Sequence, residues 1–222
     1  MPVWDATIGV IAGPSAVLLV DTGATLREGA EVRREARELF GRDVTHIALT
    51  HPHFDHVFGT AAFPKARVYG AVGLADVLAR EREELARDAV RHGADPAAAA
   101  EAADLLVRPG HPVSGELTLD LGGGRQALLA NVGPGHTAHD LAVLVAPSGG
   151  APEVVFCGDL VEESGDPQAG PDALPRQWPA ALDRLLALGG EDAVYVPGHG
   201  AVVDAAFVRE QRDALAARFS VS

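Results

Sequence analysis

Cysteine is almost missing from this chain: Cys157 is the only one among 222 residues. No intrachain disulfide can form, so the fold must rest on burial and hydrogen bonding, and no oxidising compartment is needed. Basic residues are scarce too, with 18 Lys and Arg against 31 Asp and Glu, for a net charge of −13. They gather into no stripe or patch, which excludes the electrostatic footprint of a nucleic-acid binder. Aromatic residues reach only 5%, which disfavours an aromatic-rich binding module. No apolar run approaches the ~20 residues needed to span a bilayer. The opening MPVWDATIGV lacks the basic start and apolar run of a secretory signal. A soluble cytoplasmic protein is expected, with a small-molecule substrate and neither nucleic acid nor membrane as partner.

What is present is Ala, Val and Leu in quantity, and 47% hydrophobic residues overall. That is enough for one large core, and the expectation is a single domain over residues 1–222. TIGVIA and AVLLVD, joined by Gly13-Pro14-Ser15, read as a hairpin. TLREGAEVRREARELFG reads as a helix, with Val32, Ala36, Leu39 and Phe40 at helical spacing and Gly41 as the stop. VTHIALT is a strand, followed by a short helix near His56 and a strand around ARVYG. Residues 71–106 read as a helical insertion, its second helix capped by Asp95 with Pro96 in the first position. Strands return at GELTLDL, QALLANV, LAVLVA and EVVFC. EESGDPQAGPDALPRQW is loop, long enough to suggest a functional role. PAALDRLLALG, AVYVPG and DAAFVREQRDALAARF close the chain as helix, strand and helix. Intermixed strands and helices favour sheets covered by helices.

The chemistry concentrates in HPHFDH, which follows the strand ending at Thr50. In extended backbone, residues two apart face the same way, so His51 and His53 can converge on one point. Asp55 and His56 then turn toward a second point nearby. Imidazole nitrogens and carboxylate oxygens are the usual ligands of zinc and similar divalent metals. A solvated His-rich turn would carry the same letters, so a metal site needs closing ligands from elsewhere. Three stand at the ends of apolar runs, each beside glycine: His136 in GPGHTAHD, Asp159 in VVFCGDL and His199 in VYVPGHG. Together with the opening cluster they point to a metal site. Among the other histidines, His46 reads as a strand residue, while His92 and His111 read as exposed. His139 is expected either to line the pocket or to support Asp140. Cys157 reads as a buried strand residue rather than a ligand.

VDTG, THPHFDH, GHT, CGDL and PGHG, in that order from Asp21 to Gly200, resemble the motif set of the metallo-β-lactamase superfamily. The resemblance implies a four-layer αββα sandwich of two mixed β-sheets flanked by helices, with metal at one edge. It further implies that His51, His53 and His136 hold one metal, that Asp55, His56 and His199 hold the other, and that Asp159 bridges them. Asp21 would support the ligand loop without binding metal. The cofactor implied is a pair of divalent ions, zinc first, with iron or manganese as alternatives. Two departures stand out. Val57-Phe58-Gly59 replaces the two glycines that often follow the opening motif. A strand commonly found before VDTG is either missing or supplied by Met1 to Asp5.

On this reading the chain is a metallohydrolase acting on an ester, lactone, thioester or lactam, with Asp55 orienting the nucleophile. The alternative on the same fold is a mononuclear iron persulfide dioxygenase using His51, His136 and Asp159. A catalytically silent metal-binding protein is disfavoured because no ligand is missing. Segments 71–106 and 160–178 are expected to wall the pocket. Their acidity would favour neutral or cationic substrates.

Overall fold

The computed structural model describes residues 5–147 and 149–220. Met1 to Trp4 lie outside them, and with them most of the segment expected to supply an extra strand. The first half of the chain builds a five-stranded sheet from β1 (Gly9–Ala12), β2 (Val17–Val20), β3 (His46–Ala48), β4 (Arg67–Ala71) and β5 (His111–Val113), in that spatial order. β1 and β2 are an antiparallel hairpin, and β2 to β5 run parallel. The second half builds another sheet, ordered β10-β9-β8-β7-β6, from β6 (Glu116–Gly122), β7 (Arg125–Asn131), β8 (Leu141–Val145), β9 (Val154–Glu162) and β10 (Val194–His199). Here β9 and β10 are parallel and the remaining pairs antiparallel.

Strand periodicity explains the layering. In β2, Leu18 and Val20 join a cluster between the sheets with Ala48, Leu129, Leu141 and Val143, while Val17 and Leu19 face the opposite way. In β8, Leu141 and Val143 face inward and Ala142 and Leu144 outward. Both faces of these central strands are therefore dry, which is why they read as continuous apolar runs, while the edge strand β6 keeps one face open. The outer face of the first sheet is covered by helices α1 (Leu26–Phe40), α3 (Leu74–Arg91) and α4 (Pro96–Asp104). That of the second is covered by α5 (Trp178–Gly189) and α6 (Ala205–Arg218). Each fully buried Leu or Val contributes about 1.5–3 kcal/mol relative to exposure. The result is the αββα sandwich. No helix among the described residues is long and apolar enough to cross a membrane.

Local signals placed several boundaries well. Thr25 caps α1 by accepting from Glu28 N, and Gly41 ends it at φ 67°. Asp95 accepts from Ala97 N and Ala98 N, with Pro96 opening α4. Three expectations need correcting. Leu39, placed on the apolar spacing of α1, is 75% exposed, while Ala36 and Val32 of that spacing do pack on the core, joined by Gly29. β5 was missed, because three residues containing Pro112 carry no strand signature until pairing with β4 supplies one. β9 does not stop at Cys157 but continues through Asp159 to Glu162.

The two halves are also stitched near the start of the chain. Ala6 bridges His199 at the edge of β10, and Thr7 N donates to Gly198 O at 2.7 Å.

Candidate metal centre

His51, His53, Asp55 and His56 occupy the turn after β3 and the short helix α2 (Phe54–Val57). The turn is braced by Asp21, a 2% exposed residue at the end of β2 held at φ 60°. Its Oδ1 accepts from Thr50 N at 2.8 Å, and its Oδ2 accepts from Thr50 Oγ1 at 2.7 Å and from His56 Nδ1 at 2.8 Å. Thr22 binds His56 O through both its N–H and its hydroxyl. Gly59 closes the turn at a point where a Cβ would collide with Thr22 O, while a Cβ on Gly29 of α1 would collide with Gly59 O. Helix, strand end and ligand turn therefore meet backbone to backbone.

These bonds fix two tautomers. Thr50 gives its single hydroxyl proton to Asp21, so the 2.9 Å contact with His51 Nδ1 requires His51 to donate. His56 likewise donates from Nδ1 to Asp21. Both rings then turn Nε2 inward, and neither Nε2 has a hydrogen-bond partner in the structure; Asp159 Oδ1 is equally buried and unpartnered. Buried polar atoms of this kind are rare without a missing partner.

The second half of the chain supplies the other candidate ligands from three places. His136 sits on the β7–β8 loop, whose carbonyls at Val132 and Gly133 accept from Arg184, and the Trp178 ring meets it edge-on at 5.2 Å. Asp159 follows Gly158, whose φ of 54° coincides with register shifts between β9 and β10. That irregularity re-aims the carboxylate toward the cleft. His199 ends β10.

The arrangement has two lobes. His51, His53, His136 and Asp159 each bring a ligand atom within 4.8 Å of the others, and so do Asp55, His56 and His199. Asp159 faces both lobes. Its Oδ2 lies 3.7 Å from His51 Nε2, 3.6 Å from His136 Nε2 and 3.5 Å from His199 Nε2, and its Oδ1 lies 3.2 Å from His56 Nε2. Asp55 Oδ2 is 3.3 Å from His199 Nε2 and 3.6 Å from His56 Nε2. His53 turns Nδ1 toward His136 Nε2 at 3.0 Å. Five imidazoles and two carboxylates thus converge, a donor set that suits one or two divalent cations.

Charge follows geometry. Burial, followed by the other imidazoles, drives His51 well below the ordinary imidazole value and His136 to about 4. Burial would also lower His56 and His199, but the surrounding carboxylates outweigh it and raise His56 well above its ordinary value and His199 to about 10. Asp159, which burial alone would raise, is pulled well below the carboxylate range by His56 and His51. The cluster holds its carboxylates ionised and presents neutral imidazoles at His51 and His136.

The other expectations divide. Cys157 is buried on the outer face of β9, donates to Val155 O, and has its thiol pushed up by burial. His46 lies in β3, and His92 and His111 are exposed. His139 does not support Asp140: its Nδ1 lies 2.9 Å from Val72 O, and Asp140 accepts from Thr137 N and Oγ1 instead. Three residues near the site carried no local signal as partners. Thr50 is visible only as a neighbour of the motif. Glu162 comes within 4.8 Å of Asp159 and His199 only because β9 continues. Asp172 reaches His53 from a loop 119 residues away in sequence.

Comparison with known proteins agrees with this picture. Residues 1–199 match the family model of the metallo-β-lactamase superfamily. The chain is 28% identical over 196 residues to "Metallo-beta-lactamase domain-containing protein 1" of Xenopus laevis, covering 88% of this chain and 71% of that protein. It is 32% identical over 195 residues to a hydroxyacylglutathione hydrolase of Cupriavidus taiwanensis, covering 86% of this chain and 62% of the hydrolase. Among solved structures, a metallo-β-lactamase from Pontibacter korlensis superposes with a TM-score of 0.73 at 21% identity, over 93% of this chain and 85% of the other. That structural likeness concerns the fold alone. With both sheets and all the candidate ligands inside the matched span, the chain belongs to the metallo-β-lactamase superfamily.

Proposed function

We propose that the chain is a hydrolase that cleaves an ester, lactone, thioester or lactam of a small molecule at a centre for two divalent cations. The observation that supports this best is Asp159, whose carboxylate faces two otherwise separate ligand groups. His51, His53 and His136 would hold one ion, Asp55, His56 and His199 the other, with Asp159 between them. Zinc suits this nitrogen and oxygen set first, and iron or manganese are the alternatives. Such ions would supply Lewis acidity, making a water nucleophilic near neutral pH and polarising the scissile carbonyl. Asp55 would orient the attacking water by accepting its hydrogen bond. Asp21 would keep His56 from rotating away. No Ser or Cys nucleophile is then required, in keeping with a Cys157 buried against α5.

The substrate reading follows from charge. Glu162 at the end of β9, and Glu163, Asp166 and Asp172 between β9 and α5, stand against Arg176 alone. A cleft edged by these residues sits in a negative field, which slows anions and favours neutral or cationic molecules. A small neutral ester or lactone should therefore be turned over with a higher kcat/KM than a glutathione thioester of the same acyl group. Steady-state kinetics at low and moderate salt decide this, because screening acts beyond ~8 Å at physiological ionic strength. A preference for the glutathione thioester at both salt levels would overturn the substrate reading.

Metal analysis of freshly purified protein tests the centre itself. Two zinc ions per chain without oxygen uptake are expected. One iron per chain with oxygen consumed on a persulfide substrate would replace the hydrolase with the dioxygenase.

A further inference from the structure

The segment joining β9 to α5 is tied down along its length despite its Gly, Pro and Asp content, first at Glu163, which donates from N to His199 O and accepts from Ala201 N. Pro167 O accepts from Arg218 of α6, Leu174 N donates to Gly135 O beside His136, and Asp172 meets His53. The last contact is directional. Asp172 Oδ2 lies 3.0 Å from His53 Nε2, while His53 Nδ1 lies on the opposite edge of the ring, 3.0 Å from His136 Nε2. A carboxylate only accepts, so His53 donates Nε2–H and leaves Nδ1 to face the cluster. His51 and His56 have their far nitrogens fixed by Thr50 and Asp21, both in the first half of the chain. His53 has no such partner there, and the acceptor comes from the far loop.

We propose that Asp172 is a positioning residue of the centre: its carboxylate fixes the orientation and tautomer of His53, so that the loop over 163–177 and the His51-His53-His136 lobe are held as one unit. The proposal rests on that lobe taking up metal, as read above. The two groups are partly open, with side chains 24% and 42% exposed for His53 and Asp172. Solvent therefore weakens the charge attraction, and orientation of the ring is what the contact contributes. Outer carboxylates on metal-binding histidines change metal affinity by about 10–100-fold when removed.

The test compares Asp172→Ala with Asp166→Ala, which removes an equal charge from the same loop. Chelator competition with zinc should show one of the two sites weakened about 10–100-fold in Asp172→Ala and neither in Asp166→Ala. Asp172→Asn keeps the volume and an acceptor oxygen and should fall between. Proton NMR supplies a readout that a merely structural role would not move. The His53 Nε2–H should give a slowly exchanging, low-field resonance in both metal-free and zinc-loaded protein, lost in Asp172→Ala. Equal zinc affinity in Asp172→Ala and wild type, or no such resonance in wild type, would overturn the proposal. If the resonance is present but zinc is not taken up, the hydrolase reading fails while the Asp172–His53 link stands.

Discussion

The two halves of the molecule feed the same centre by different means. The first delivers His51, His53, Asp55 and His56 from six consecutive residues, on one turn locked by Asp21 and Thr22. The second delivers His136, Asp159 and His199 from three separate positions, whose spacing is set by the pairing of β7 with β8, β8 with β9 and β9 with β10. In the first half the geometry is local and the ligands move as a block. In the second it is distributed, and each ligand is held by a different segment: the β7–β8 loop, the body of β9 and the end of β10. Substitutions should therefore show collective effects in the first half and one-site effects in the second, with Asp159 the exception because it faces both lobes.

Asp159→Ala should have the largest effect. Its removal withdraws negative charge from between five histidines and loosens both lobes. Turnover should fall about a thousandfold or more, near 4 kcal/mol of lost transition-state stabilisation. Metal analysis should show both sites depleted. Full occupancy of either site would mean that the carboxylate does not link the halves.

His199→Ala comes next and sharpens the one-site expectation. The variant should fold, lose one metal and most activity, and keep the ion held by His51, His53 and His136. Two tightly bound metals with normal turnover would remove His199 from the centre. Asp21→Ala probes the collective expectation. It strips acceptors from Thr50 N, Thr50 Oγ1 and His56 Nδ1 at once. Metal affinity should fall about 10–100-fold, at both lobes rather than one, accompanied by a lower Tm in the metal-free protein. A loss confined to the His56 lobe would show that the turn does not move as a block.

The same contrast explains what could be read before the structure. HPHFDH is legible because strand and turn geometry put its side chains on neighbouring points without help from the rest of the chain. His136, Asp159 and His199 were each an ordinary loop residue by local pattern, and the ordered motifs of the family gave them their places. The bend at Gly158 was invisible because it is a property of register between β9 and β10, and the same holds for Glu162 beyond it. Asp172 was counted only as one acid in an acidic loop, since nothing within a few residues of it announces His53. The burial of α1 through Gly29 rather than Leu39 has a similar origin: a close backbone approach to Gly59 sets that face, which apolar spacing cannot encode.

The stitch between Thr7 and Gly198 has a mechanical consequence. Its hydrogen bond and the bridge from Ala6 to His199 connect the strand leading into the first sheet to the ligand-bearing edge of the second. A force applied at the N-terminal end of the described chain is delivered to β10 through Ala6 and Thr7 before it reaches the hairpin of β1 and β2. In an optical-trap experiment pulling on Asp5, the first small extension should release this tether, while both sheets remain intact and bear load and His199 stays paired with β9 through Glu162 and Glu163. The link between the start of the chain and the edge that carries His199 is then the first part to give way.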